Sequence, residues 1–285
     1  MIISEKKYEP ETLHRLWKAE IEILDVVSDF CKQHQIKYSL AYGTLLGAVR
    51  HKGYIPWDDD IDIMMLRDDY NKFKRLWLEN PVDGYVLEDD SIFDDFHENF
   101  MKIRKRGTTF IQFESEFEPS NRIYGIFIDI FAFDRAAPEG VARKKQYYAN
   151  MVNMLYSRNY PSEKKGIIGV GEKLLLAFPV SFKRRMKQRT RRYLERWNNH
   201  SEYPLIDFCT LDNSRLLFPD DMFDNIVELD FEGKKYCSVS KFETALRISF
   251  GDYMQLPPEN QRASHYPLLL DFEREYCSKE KRKNE

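Results

Sequence analysis

Four carboxylates crowd one short stretch, Trp57-Asp58-Asp59-Asp60-Ile61-Asp62-Ile63. The alternation from Asp60 to Met65 fits a strand, on which Asp60 and Asp62 point the same way, about 6 to 7 Å apart at roughly 3.3 Å per residue. Carboxylate oxygens so placed suit a hard divalent ion, Mg²⁺ or Mn²⁺, held at about 2 Å by each donor. Without a cation the same acids repel one another and resist ionisation. An ion held this way keeps positions open for phosphate and water, which points to phosphoryl chemistry. Asp58, Asp60 and Asp62 are therefore the candidate ligands. An EF-hand is excluded, because its spacing puts Ile63 where glycine is required and Asp69 where glutamate is required. A D-x-D of the glycosyltransferase kind uses the same acids and stays open on this segment alone. P-loop chemistry is excluded, since Gly166-Ile-Ile-Gly-Val-Gly171 runs into Glu172 and not into Lys-Ser/Thr.

A further acid, Asp129, stands alone in Gly125-Ile-Phe-Ile-Asp-Ile-Phe131, the most apolar strand candidate. A carboxylate buried there needs a cation or hydrogen-bond donors. Upstream, Gly43-Thr44 follows the β-like run Ile36 to Tyr42 and opens a helix-prone segment through Arg50. The glycine permits close backbone approach, so Gly43 and Thr44 are a candidate phosphate cradle. Glycine turn, acid pair about 16 residues later and distal acid together form the arrangement of the nucleotidyltransferase-like fold.

The run Tyr38-Ser-Leu-Ala-Tyr-Gly-Thr-Leu-Leu-Gly-Ala-Val-Arg-His-Lys-Gly-Tyr-Ile-Pro-Trp-Asp-Asp-Asp-Ile-Asp-Ile63 closely resembles the LicD family, relatives of the fukutin-related proteins. The likeness continues through Gly125 to Phe131 and a closing Phe250-Gly-Asp-Tyr-Met-Gln-Leu-Pro-Pro258, in order across most of the chain. It departs at Ser264-His-Tyr266, where two adjacent histidines are expected. The resemblance implies an α+β fold with a nucleotidyltransferase-like mixed sheet flanked by helices. It also implies metal-dependent transfer of a phosphoalcohol, typically phosphocholine from CDP-choline, to a sugar of a surface glycan or teichoic acid, with release of CMP.

On that reading Asp60 and Asp62, with Asp58, hold Mg²⁺ against the diphosphate of a CDP-linked donor. Asp129 completes the site as ligand or takes the proton of the attacking sugar hydroxyl, and the sequence does not separate the two roles. Arg50, Lys102 and Arg104 are candidates to neutralise phosphate, and His51 to contact donor or acceptor. Trp57 is a candidate to stack on a cytosine or cap a trimethylammonium. Two alternatives use the same acids: attack on the α-phosphate of a nucleoside triphosphate, or transfer of an aminoalkylphosphonate or polyol phosphate. A decayed binding protein is disfavoured, because all three acids of the pattern are present.

The elements that must position these groups are legible in outline. Leu13, Trp17, Ile21, Leu24, Val27 and Cys31 recur at helical spacing. Further strands are expected over 84–88, 100–105 and 108–113, and a helix over Asp68 to Glu79. Beyond these come mostly helix from about 140 to 197, with breaks near Tyr160-Pro161 and Pro179, and a hairpin at Glu232-Gly233. Ser240-Lys-Phe-Glu243 has the form of a capping box, with Gly251 placed to end that helix. A single domain over 1–285 is expected, with 136–199 as a basic helical insertion.

At 285 residues, 42% apolar and 32% charged, the chain has the material for a sizeable core, which excludes a small stapled scaffold or a disordered tail. Its net charge of −3 conceals a division: 19 acidic and 9 basic residues from Asp58 to Asp134, then 4 acidic and 16 basic from Arg135 to Trp197. The first stretch suits cations and the second suits anions. Seven of the ten residues from Lys183 to Arg192 are basic; they are expected to contact an anionic membrane or a lipid-linked, phosphate-rich saccharide acceptor. Nucleic acid is disfavoured, since no aromatics are regularly interleaved with the cations. Scattered Cys31, Cys209, Cys237 and Cys277, and the lack of an apolar leader or a 20-residue apolar span, place the chain in a reduced, cytoplasmic setting, peripheral to the inner face of the membrane.

Overall fold

The structure, a computed structural model, describes residues 7–93, 96–112, 122–157, 177–262 and 264–276. The expected break near Tyr160-Pro161, the segment Gly166 to Gly171, Phe113 and Cys277 lie outside these residues. A mixed sheet runs in the order β1 (Ser39–Leu40), β2 (Asp62–Leu66), β6 (Phe127–Arg135), β4 (Met101–Lys105), β3 (Tyr85–Glu88), and β7 (Leu205–Asp207) pairs with the last residues of β6. Only β2 and β6 are parallel neighbours; β1, β4, β3 and β7 pair antiparallel. Short β5 (Thr109–Ile111) pairs with β10 (Leu269–Asp271).

Helix α1 (Pro10–Gln33) lays Leu16, Ile23, Leu24 and Val27, all fully buried, into the core. Beside it α3 (Arg67–Glu79) brings Phe73 and Trp77 onto Phe30, with ring centroids 5.4 and 4.8 Å away. The first eight residues of β6 are buried, as are Ile63, Met64 and Met65 of β2. Both faces of these strands are covered, so the half-polar alternation expected from Asp60 onward stops at Asp62. The strand begins there, and Asp60 lies in the loop before it rather than on a shared strand face.

That loop is braced from two sides. Helix α2 (Tyr42–Arg50) presents Gly47, where an added Cβ would stand 2.4 Å from the backbone oxygen of Gly53. From the other side, hairpin β8 (Ile226–Phe231) and β9 (Lys234–Val239) turns through Glu232 and Gly233 at φ 49° and 74°, as a two-residue hairpin turn requires. The Glu232 N–H donates to Lys52 O at 3.0 Å, and its carboxylate accepts from Tyr54 N at 3.0 Å. The expected capping box does not form: α6 (Phe242–Phe250) starts after Lys241 with no side-chain cap, while Gly251 at φ 65° ends it as expected.

Helices α4 (Val141–Ser157) and α5 (Val180–Leu194) pack on one another, with a small apolar cluster of Ala136, Leu194, Ile206 and Phe208 below. The acidic and basic stretches partly meet each other here instead of facing separate partners. Asp90 accepts from Lys187 at 2.9 Å and bidentately from Arg191 at 2.7 Å. Burial would raise the Asp90 carboxyl, but the two cations hold it well below the usual carboxylate range. Arg67 grips Asp134 the same way, at 2.9 and 2.7 Å. Cys31, Cys209 and Cys237 are free thiols, and no helix among the described residues is long and apolar enough to cross a membrane.

Candidate active site

Parallel pairing of β2 with β6 sets Asp62 opposite Asp129 in register. The join is fixed by two bonds: Asp129 N–H donates to Ile61 O at 2.9 Å, and Asp62 N–H donates to the Thr44 hydroxyl at 2.8 Å. Burial and the neighbouring charges of Asp60, Asp129 and Asp58 push the Asp62 carboxyl well above its ordinary value, and burial with Asp60 and Asp59 does the same to Asp58. Asp129 is pushed up to about 6 by burial, with Lys102 opposing. Lys102 donates to Asp129 Oδ1 at 2.8 Å, its ammonium lying 3.8 Å from the Phe127 ring centroid. This is the cation that the lone acid of the apolar strand requires.

Asp59 has a different task. It is buried and accepts from Tyr8 Oη at 2.8 Å and from the His265 N–H at 2.8 Å. The His265 ring sits 3.4 Å from Asp59 and 3.3 Å from Asp60. Burial works to lower His265, but the two carboxylates override it and push it up to about 11. Trp17 Nε1 donates to Asp58 O at 2.9 Å and stacks on Tyr54, whose hydroxyl donates to the buried Glu20. Helix α1 and the returning C-terminal segment thus hold the acidic loop from behind. His265, Tyr8 and Asp59 were not legible as site residues; the one signal was the motif departure at Ser264-His-Tyr266.

Gly43 and Thr44 occupy the first turn of α2 rather than a turn between strand and helix. Tyr42 before them takes φ 42°, anchored by its hydroxyl to Asp207 at 2.5 Å. A Cβ on Gly43 would stand 2.7 Å from Asp58 Oδ2, so the helix start and the acid meet only because that side chain is absent. A Gly43→Ala variant is expected to keep its melting temperature, because the carboxylate can swing away, and to lose roughly tenfold in donor affinity measured by titration calorimetry.

The other expected contacts divide. Lys102 reaches the acids. Arg104 does not: it donates to Glu88 at 2.5 Å and to Gly125 O at 2.9 Å, inside the core, where no phosphate can reach it. Arg50 and His51 lie at the far end of α2, roughly 10 Å along the axis from Gly43, with Arg50 bonded to His51 and Tyr253 O. Trp57 packs against the core, and its exposed face is covered by Arg262, 4.6 Å from the ring centroid.

Among the described residues no three His, Cys, Asp or Glu side chains stand close enough to enclose an ion as placed. The donor chemistry nevertheless fits a hard divalent cation. The cluster is all carboxylate oxygen, and burial with the neighbouring acids keeps Asp58 and Asp62 raised despite His265.

Residues 35–163 match the family described as LicD/FKTN/FKRP, nucleotidyltransferase domain. The chain is 27% identical over 256 residues to the lipopolysaccharide cholinephosphotransferase LicD of Haemophilus influenzae, covering 86% of this chain and 92% of that one. An uncharacterized protein of Rickettsia typhi is 29% identical over 187 residues, 58% of each chain. One of Rickettsia prowazekii is 45% identical over 76 residues, 27% of this chain and 26% of that one. All four candidate acids, Gly43 and Lys102 fall inside residues 35–163, the part of the chain that matches the LicD/FKTN/FKRP nucleotidyltransferase domain.

Proposed function

We propose that the protein transfers phosphocholine from CDP-choline to a sugar of a cell-surface glycan, releasing CMP. The observation that carries this reading is the register of Asp62 against Asp129 beside the open start of α2, with Asp58 and Asp60 on the loop between. The cholinephosphotransferase name of the Haemophilus relative supports the choice of transferred group. Asp58, Asp60 and Asp62 would hold Mg²⁺ or Mn²⁺, with Asp129 beside them. Such an ion supplies charge neutralisation for the diphosphate and the departing CMP.

This chain's own residues do the rest. The absent side chain at Gly43 lets the Asp58 carboxylate lie against the start of α2, and the partial positive charge of that helix start favours the donor diphosphate beside it. Lys102 holds one oxygen of Asp129 and leaves the other to receive the proton of the attacking sugar hydroxyl. The sugar oxygen bonds to the choline-bearing phosphorus as the bond to the CMP oxygen breaks. His265 keeps Asp59 and Asp60 in place while the donor is bound.

The test is product analysis with CDP-choline, Mg²⁺ and a lipopolysaccharide or teichoic-acid acceptor. CMP release that requires acceptor and stops in chelator is expected. Pyrophosphate released from a nucleoside triphosphate, with no CMP from any CDP-alcohol, would replace the reading with nucleotidyl transfer.

A further inference from the structure

Helix α5 has two faces that do different work. Lys187, Thr190 and Leu194 are buried, and Lys187 and Arg191 are committed to Asp90. Only part of the basic run is therefore available to an outside partner. On the opposite side Phe182, Arg185, Arg189 and Arg192 follow at spacings of three, four and three, which puts them in one row along the helix. All four are exposed. Among the described residues none of these three arginines is in an ion pair, and α5 contains no acid. The row ends in hydrocarbon: Phe178 stacks on Phe182 at 4.9 Å, and Phe178, Val180 and Phe182 are 43%, 50% and 39% exposed.

Stacked rings left in water beside a row of cations match one environment, the boundary between anionic headgroups and acyl chains. We propose that α5 lies on an anionic bilayer, with Phe178, Val180 and Phe182 entering the interface and Arg185, Arg189 and Arg192 meeting lipid phosphates. Arginine suits this role because its fork engages phosphate oxygens in pairs. A soluble polyanion would use the arginines and leave the rings idle, whereas the bilayer uses both. The inference does not rest on the proposed transfer reaction.

Co-sedimentation of the full chain with phosphatidylcholine vesicles, with and without phosphatidylglycerol, tests it. Binding is expected only to the anionic vesicles and should weaken as salt rises. Replacing Arg185, Arg189 and Arg192 together by Gln is expected to lower partitioning about 100-fold, since each cation near the surface contributes a several-fold share. In a Phe182→Trp variant the indole emission should shift to the blue on anionic vesicles and stay put on soluble polyphosphate. Because Phe182 also touches Tyr156, melting curves of each variant check that the fold is kept. Equal partitioning of the wild type and the triple Gln variant overturns the proposal, as does an indole that shows no shift on vesicles while the arginines still bind polyphosphate.

Discussion

Asp62→Asn is expected to lower CMP release by about 100-fold or more while raising the melting temperature at neutral pH. The two effects share one cause. Asp62 is held beside Asp60, Asp129 and Asp58, and burial together with those charges raises its carboxyl well above the ordinary value. A carboxyl raised on folding subtracts from stability as pH climbs above its unfolded value of about 3.9, because the native state then binds more protons than the unfolded one. Removing the charge removes that penalty. The amide keeps the shape, and its NH₂ has carboxylates to donate to. Wild type and variant should therefore differ most near pH 7 and converge in acid, where the wild-type carboxyl is neutral as well. Added Mg²⁺ should raise the melting temperature of the wild type and leave the variant nearly unmoved. Acceptor-dependent CMP release at the wild-type rate would end the catalytic reading. A fall in the melting temperature at neutral pH would instead show that Asp62 is held by bonds and not repelled by neighbours.

Local patterns in the sequence foretold those parts of the fold that depend on nearby residues. The α1 stripe, the hairpin at Glu232-Gly233 and the apolar run around Asp129 each depend on neighbours a few positions away. The acid pair and the distal acid were readable as chemistry for the same reason. What stayed hidden depends on register between distant segments. Lys102 and Arg104 stand two residues apart and look equivalent in sequence, yet Lys102 bonds Asp129, its register partner on β6, while Arg104, opposite Val86, reaches diagonally to Glu88. His265 reaches Asp59 across 206 residues, a distance no spacing rule covers. Burial on both faces of β2 erased the alternation that placed Asp60 on the strand. In the basic run, only the helix phase against Asp90 separates inward Lys187 and Arg191 from outward Arg185, Arg189 and Arg192.

The divergence of Lys102 and Arg104 leads to the largest stability effect. Glu88 is fully buried and accepts from Arg104 at 2.5 Å and from Arg122 at 3.2 and 2.8 Å. Burial alone would raise its carboxyl, but the two guanidiniums outweigh this and hold it below the ordinary value. A Glu88→Gln variant leaves two buried cations facing a neutral amide, and breaking such a group costs about 3–5 kcal/mol. Against a total of roughly 5–15 kcal/mol for a folded protein, that is a large share, readable as a drop in the urea midpoint at pH 7. The sign with pH follows. A depressed carboxyl stabilises the fold above its unfolded value of about 4.3 and loses that contribution as pH falls through the folded one, so the gap between wild type and variant should close in acid. Arg104→Met is expected to cost less than Glu88→Gln, because Glu88 keeps Arg122 and no cation is stranded. Its Michaelis constant for the CDP-linked donor should stay near wild type, since the Arg104 side chain is buried away from the acids. A raised Michaelis constant with an unchanged urea midpoint would return Arg104 to the phosphate and remove it from the core.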